Sequence, residues 1–140
     1  VTQSRARKYV EENPEERVQF PIGLEHPTVI ASIIKVARKH IDPTKISEIW
    51  SVASSGTLAR GLALAFPELP INIVSVGHKM SEREIGRAKY YRSEYKFDKP
   101  VKEDELKQLP FESAITYDAK AWRFVKEFGK KDCLFWNVGY

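Results

Sequence analysis

The stretch Ser54-Ser55-Gly56-Thr57-Leu58 holds the residues best placed to do chemistry. A short apolar run, 46–53, precedes it, and a compact apolar segment, 58–66, follows at once. A strand that runs through small residues directly into a helix builds an anion cup. Small side chains let main-chain N–H groups approach the anion, and the hydroxyls of Ser54, Ser55 and Thr57 add donors. The helix N-terminus adds positive potential. The chemistry implied is the holding of a small molecule by its phosphate. The stretch lacks the Gly-Lys-Ser/Thr ending of a P-loop and the G-x-G-x-x-G pattern of dinucleotide sites. An ordinary capped strand–helix turn uses the same residue types, so the loop by itself leaves both readings open.

Other candidates are scattered. Tyr117 next to Asp118 offers either an acid–base pair or a helix start, with Asp118 capping and Tyr117 packing. His26, His40 and His78 do not have metal-ligand spacing, and no metal is expected. His40 falls in a last helical turn, where a cation suits the dipole. His26 and His78 fall where a ligand could reach them. Cys133 sits in an apolar run and reads as an inert buried thiol. Trp50, Trp122 and Trp136 read as core or interface aromatics. Tyr90, Tyr91, Tyr95 and Phe97 interleave with Arg87, Lys89, Arg92 and Lys96. That mix can stack on nucleic acid, but a solvated amphipathic helix and loop explains it better, and a nucleic-acid role has no further support.

The elements that position these residues follow from periodicity and punctuation. Residues 4–12 read as a basic helix broken at Asn13-Pro14, and 17–21 as a short strand stopped by proline. Thr28 starts a helix to His40, with Val29, Ile30, Ile33, Ile34 and Ala37 at helical spacing. Residues 46–53 and 71–76 read as strands on either side of a helix over 58–66, a unit that favours a parallel pair with a right-handed crossover. Residues 81–91 read as a helix with Glu84 and Arg87 paired on its surface. Residues 93–110 read as irregular or inserted. Residues 117–128 read as an amphipathic helix capped by Gly129, and 133–137 as a last buried strand. The expected fold is α/β, three-layered, with a mostly parallel sheet of about four to five strands and helices on both faces, as one domain over 1–140. In such a sheet ligands bind beyond the carboxyl ends of the strands, which selects the loops 22–27, 53–58 and 137–140.

Composition narrows the class. The chain has 140 residues, 42% hydrophobic and 30% charged, which suits one globular domain with a real core. A single cysteine excludes an internal disulfide framework. A net charge of +4 is too mild for a dedicated nucleic-acid binder. No apolar run is long enough to span a membrane, and residues 1–8 are polar and basic, so a cytoplasmic location is expected. The chain opens on Val1 rather than Met, so an excised piece of a longer protein is one expectation.

Four stretches together carry a family resemblance. Phe20-Pro21-Ile22-Gly23-Leu24-Glu25-His26-Pro27 resembles the Pro-x-Gly-Gly-Ser-Asn-Pro run of fold-type II pyridoxal-phosphate enzymes, in the branch of aminocyclopropane-carboxylate deaminase and D-cysteine desulfhydrase. Residues 49–58 resemble that branch's Gly-Ser-Gly-Gly-Thr phosphate cup. Tyr117-Asp118-Ala119-Lys120-Ala121 resembles its Tyr-Thr-Gly-Lys-Ala, and Leu134-Phe135-Trp136-Asn137-Val138-Gly139 its Leu-Phe-x-His-Thr-Gly. The stretches occur in the family's order and span most of the chain, from about residue 7 onward.

The resemblance implies pyridoxal phosphate as cofactor, with its phosphate on Ser54, Ser55, Gly56, Thr57 and Leu58. Gly23 would support the loop beside the phosphate. Tyr117 would act at the reacting face, and Asn137 with Val138 would lie near the pyridine nitrogen. The implied reactions are elimination, deamination or replacement on an amino acid or amino-group-bearing substrate. The chain departs from the pattern in four ways. The family's Schiff-base lysine lies upstream of every matched stretch, while Lys8, Lys35 and Lys39 fall on predicted helices among other charges and Lys120 fills a position the family also gives to lysine. The cup has one glycine fewer, Gly23-Leu24 replaces a Gly-Gly pair, and Val138 replaces a threonine. The alternative is a non-catalytic module of the same fold that holds a phosphate-bearing molecule or nucleotide. A phosphoribosyl-type transferase fits less well, because no acidic pair precedes a Thr-Gly loop. An uncovered sheet edge would favour a homodimer.

Overall fold

The computed structural model describes residues 2–139. Val1, which opens the polar, basic stretch 1–8, and Tyr140, which closes the third candidate loop, lie outside the described residues. Helices α1 (Thr2–Glu11) and α2 (Pro27–His40) come first. Strand β1 (Glu48–Ala53), helix α3 (Thr57–Ala65) and strand β2 (Ile71–Ser75) follow. Then come α4 (Glu82–Ile85), β3 (Lys89–Arg92), α5 (Glu103–Leu106), α6 (Trp122–Phe128) and β4 (Cys133–Trp136), with 3-10 turns at Ile22–Leu24, Pro43–Lys45 and Asp118–Ala121.

The four strands form one all-parallel sheet in the order β3-β2-β1-β4. β1 is central and buried along its whole length, as a parallel strand covered on both faces must be. In the register, Ile49 lies between Ile71 and Leu134, and Trp50 between Asn72 and Phe135. Side chains alternate across the sheet. Ile49, Ala53, Ile71 and Ile73 pack with Ala37 of α2 and with Ala59, Leu62 and Ala65 of α3. Trp50, Val52 and Val74 pack on the other face with Ala121 and Val125 of the Asp118–Ala121 turn and α6. The fold is therefore α/β in three layers, with helices on both faces of a parallel sheet. Among the described residues no helix is long and apolar enough to cross a membrane.

Several expected elements differ in the structure. Residues 17–21 form no strand: the segment is unpaired, and Val18 and Phe20 are 79% and 73% exposed. The helix expected over 81–91 stops at Ile85, because Gly86 turns the chain at φ 57, and Lys89–Arg92 joins the sheet beside β2. Arg87 does not pair with Glu84. Its guanidinium donates to the carbonyls of Leu69, Ala63 and Phe66, closing the C-terminal end of α3. The expected helix over 117–128 is a 3-10 turn followed by α6. β4 is half-buried rather than fully buried, as an edge strand would be. Thr28 does not cap α2; His26 does, its Nδ1 accepting from the Thr28 N–H at 3.2 Å.

Candidate functional site

A cavity of about 360 Å³ opens beyond the carboxyl end of β1. Its floor is the loop 53–58 and the start of α3. Gly56, at φ 77, makes the turn, and a Cβ there would stand 2.3 Å from the Glu84 carbonyl oxygen, so only glycine fits. The Ser55 and Thr57 hydroxyls lie 3.2 Å apart, and the Thr57 N–H points at Ser55 Oγ at 3.5 Å. The N–H groups of Ser55, Gly56 and Leu58 meet no main-chain acceptor among the described residues. These are the orphan donors of a helix start.

One wall is the turn Ile22–Leu24. Gly23, at φ 64, lies so close to the cup that a Cβ would stand 2.1 Å from Ser55 Cβ. Leu24 continues this wall with its own left-handed backbone, φ 53. Val29 and Ile33 of α2, together with Val52, Ala53 and Ala59, give the chamber an apolar lining, and Tyr117 and Val138 close it from the far end of the chain. Ser54, Ser55, Gly56, Thr57, Leu58, Gly23 and Tyr117 thus all line one chamber, although three separate stretches supply them.

Asn137 does not join them. Its carboxamide donates to the Glu112 carbonyl at 2.8 Å and accepts from Ser113 Oγ at 2.9 Å, so it anchors the tail instead of lining the chamber. Its neighbour Val138 lines the chamber in its place. The Ala114 N–H donates to the Gly139 carbonyl at 2.7 Å, and the Gly139 N–H donates to Asp118 Oδ2 at 3.2 Å. Asp118 is 1% exposed, and burial pushes its carboxyl up to about 6 against the opposing N–H groups of Val138 and Gly139. It serves the tail rather than forming an acid–base pair with Tyr117. Burial, with the Asp118 charge second, raises the Tyr117 phenol, which stays protonated at neutral pH. The Phe97 ring meets Tyr117 edge-on at 6.3 Å.

Lys120 is fully buried outside the chamber, where its ammonium donates to the carbonyls of Lys96 and Phe97 at 2.7 and 3.0 Å. Burial pushes its pKa down. The Ser81 N–H and hydroxyl, and after them His78 at 3.1 Å, hold the Glu84 carboxyl at about 2. Neither His78 nor His26 lines the chamber. No group of His, Cys, Asp and Glu suited to a metal ion exists among the described residues.

No family model, curated protein or solved structure matches the chain.

The site's own chemistry therefore decides what fits. The free N–H groups and hydroxyls of 54–58 suit a phosphate, and the apolar chamber suits a flat ring attached to it. Among the described lining residues there is no lysine or other cation, so the residues fit the phosphate and ring of pyridoxal phosphate but supply no amine to it. Sequence reasoning missed the apolar wall. Val29 and Ile33 carry a four-residue helical spacing that reads only as a core face.

Proposed function

We propose that this chain is the cofactor-binding portion of a pyridoxal-phosphate-dependent enzyme of the fold-type II kind. It would act on an amino acid or an amino-group-bearing substrate by elimination, deamination or replacement. The observation that supports this reading is the convergence of the cup, Gly23, Tyr117 and Val138 on one chamber at the carboxyl end of a parallel sheet. When bound, the cofactor supplies an electron sink for the substrate. The residues of the chain have simpler tasks. The 54–58 loop would hold the phosphate through N–H groups and hydroxyls. Val29, Ile33 and Leu24 would exclude water from the ring. Tyr117 would hold a proton at Oη at neutral pH. Val138 would meet the pyridine nitrogen with an apolar surface.

The absence of a lysine from the described lining favours a second reading, a module of the same fold that binds a phosphate-bearing small molecule without covalent chemistry. Pyridoxal phosphate added to the native chain, followed by borohydride and intact-mass measurement, tests whether a lysine of this chain forms the Schiff base. One stoichiometric adduct on a single lysine supports the enzyme. No adduct, with phosphate still raising the melting temperature, means a working cup without its lysine, as in the module or in an enzyme whose lysine lies outside this chain. The double substitution Ser54→Asp with Thr57→Asp should abolish binding under both, because it places two negative charges in an anion cup. Unchanged affinity in that variant would remove the cup assignment.

A further inference from the structure

The turn that walls the cup is held by one carboxylate. Glu25 Oε1 accepts from Arg60 Nη1 and from Arg83 Nη2, each at 2.8 Å. Arg60 Nη2 also reaches the Arg83 carbonyl at 3.3 Å. Arg60 is the fourth residue of α3, and its N–H donates to the Gly56 carbonyl. Arg60 and Arg83 line a groove beside the cup with Glu84, whose carbonyl oxygen would stand 2.3 Å from a Cβ on Gly56. Glu25 lies two residues beyond the Gly23 that lies against Ser55.

Two cations thus share one anion next to the cup, outside the chamber's lining. The neighbouring charges are already committed. Glu84 is engaged by Ser81 and His78, and Arg87 is spent on three carbonyls of the α3 end. The Glu25 carboxyl is held below its ordinary range, first by the Arg60 hydrogen bond and then by the Arg83 charge, so the contact is ionic at neutral pH. Arg60 is 28% exposed and Arg83 81%, so Arg60 is the more enclosed of the two partners.

We propose that Glu25 is an internal stand-in for the ligand's phosphate, and that Arg60 exchanges Glu25 for the phosphate when the cup at 54–58 is filled. Arg60 is then a phosphate-binding residue, and Glu25 its built-in competitor. This rests on the reading that the cup holds phosphate. It adds a cation to a lining that has none, and it makes occupancy sensitive to a carboxylate outside the chamber.

The test is calorimetric titration of the full chain with inorganic phosphate at pH 8. Glu25→Gln should bind about tenfold more tightly, and Arg60→Gln about tenfold more weakly. In the double variant the gain from Glu25→Gln should vanish, because it acts through Arg60. Simple addition of the two effects would mean a general field effect and would overturn the exchange. Arg83→Gln covers the case in which Glu25→Gln does not fold. Glu25 is then left wholly to Arg60, and binding should weaken about threefold; unchanged or tighter binding overturns the proposal. A wild-type chain that binds phosphate while its variants match it removes only the exchange. A wild-type chain that binds none removes the phosphate reading and the exchange together.

Discussion

The two faces of the sheet are packed with different materials. Toward α2 and α3 the filling is mostly aliphatic and small, with Ala37, Ala53, Ala59, Leu62, Ala65 and the isoleucines of β1 and β2 at its centre and Phe66, Met80, Tyr90 and Trp136 joining them. The helices there approach closely, and a Cβ on Gly61 would stand 2.5 Å from Ile33 Cγ2. Toward α6 the filling is aromatic: Trp50 meets Tyr91 at 5.0 Å, Tyr91 stacks on Phe128 at 5.3 Å, and Phe111 stacks on Phe135 at 5.6 Å. The buried charges Asp118 and Lys120 lie in the turn that packs on this second face, and Glu48 accepts from Trp50 Nε1 at 2.7 Å. Small residues on regular helices fix main-chain positions closely, which an anion cup needs. Large rings and buried polar anchors hold irregular segments, and these deliver Tyr117 and Val138. The candidate site is where the two styles meet.

Four substitutions test this contrast, in order of expected size. Lys120→Met keeps the buried volume but strips the donor from two carbonyls, and should cost about 3 kcal/mol in urea unfolding. It should also speed hydrogen exchange at the Val101 N–H, which bonds Ile115 across the same segment. A near-neutral result would mean the aromatic side does not depend on its polar anchors. Gly61→Ala should cost about 2 kcal/mol by overpacking on Ile33 Cγ2, and Ile33→Ala, which removes that methyl, should cost less in the Gly61→Ala background than in the wild type. Full tolerance of the alanine would break the claim of close helix approach.

Asp118→Asn tests the third point through pH. The folded carboxyl, at about 6, lies above the ordinary 3.8, so the folded state binds the extra proton and its contribution is fully present below about pH 4. That contribution is lost as pH rises through about 6. Relative to Asp118→Asn, the wild type should therefore lose roughly 1–3 kcal/mol between pH 4 and pH 6. Parallel stability curves would remove Asp118 as a buried anchor. The smallest effect is expected for Phe128→Leu, about 0.5–1 kcal/mol, because that ring is half-exposed and stacked on one side only.

The same contrast explains how much could be read from the residues alone. β1, α3, β2 and α2 follow apolar runs and clean breakers, and the cup between β1 and α3 follows with them. The aromatic side was less legible. β3 has only four residues, and its strand signal is that Tyr90 packs toward one face and Tyr91 toward the other. That signal was masked by Glu84 and Arg87 at helical spacing. The place of Asn137 is hidden for a similar reason. Its neighbours in sequence point to the chamber, but its partners are Ser113 and the Glu112 carbonyl, which sequence distance conceals. The Glu25 bridge joins residues from three separate elements, and no local pattern announces it.

The strand order carries a consequence for folding. β1, β2 and β3 are neighbours in space in the order they occur along the chain, whereas β4 pairs back onto β1, with Cys133 opposite Glu48. During synthesis the first three strands can associate as they emerge, while one edge of β1 stays bare until residues 133–136 arrive. That edge belongs to Glu-Ile-Trp-Ser-Val-Ala, a strand buried along its whole length in the finished sheet, whereas the far edge on β3 carries Lys89 and Arg92. The nascent chain therefore passes through an interval in which its stickiest edge is its open one, and closing that edge is the last step that protects it from pairing with other chains.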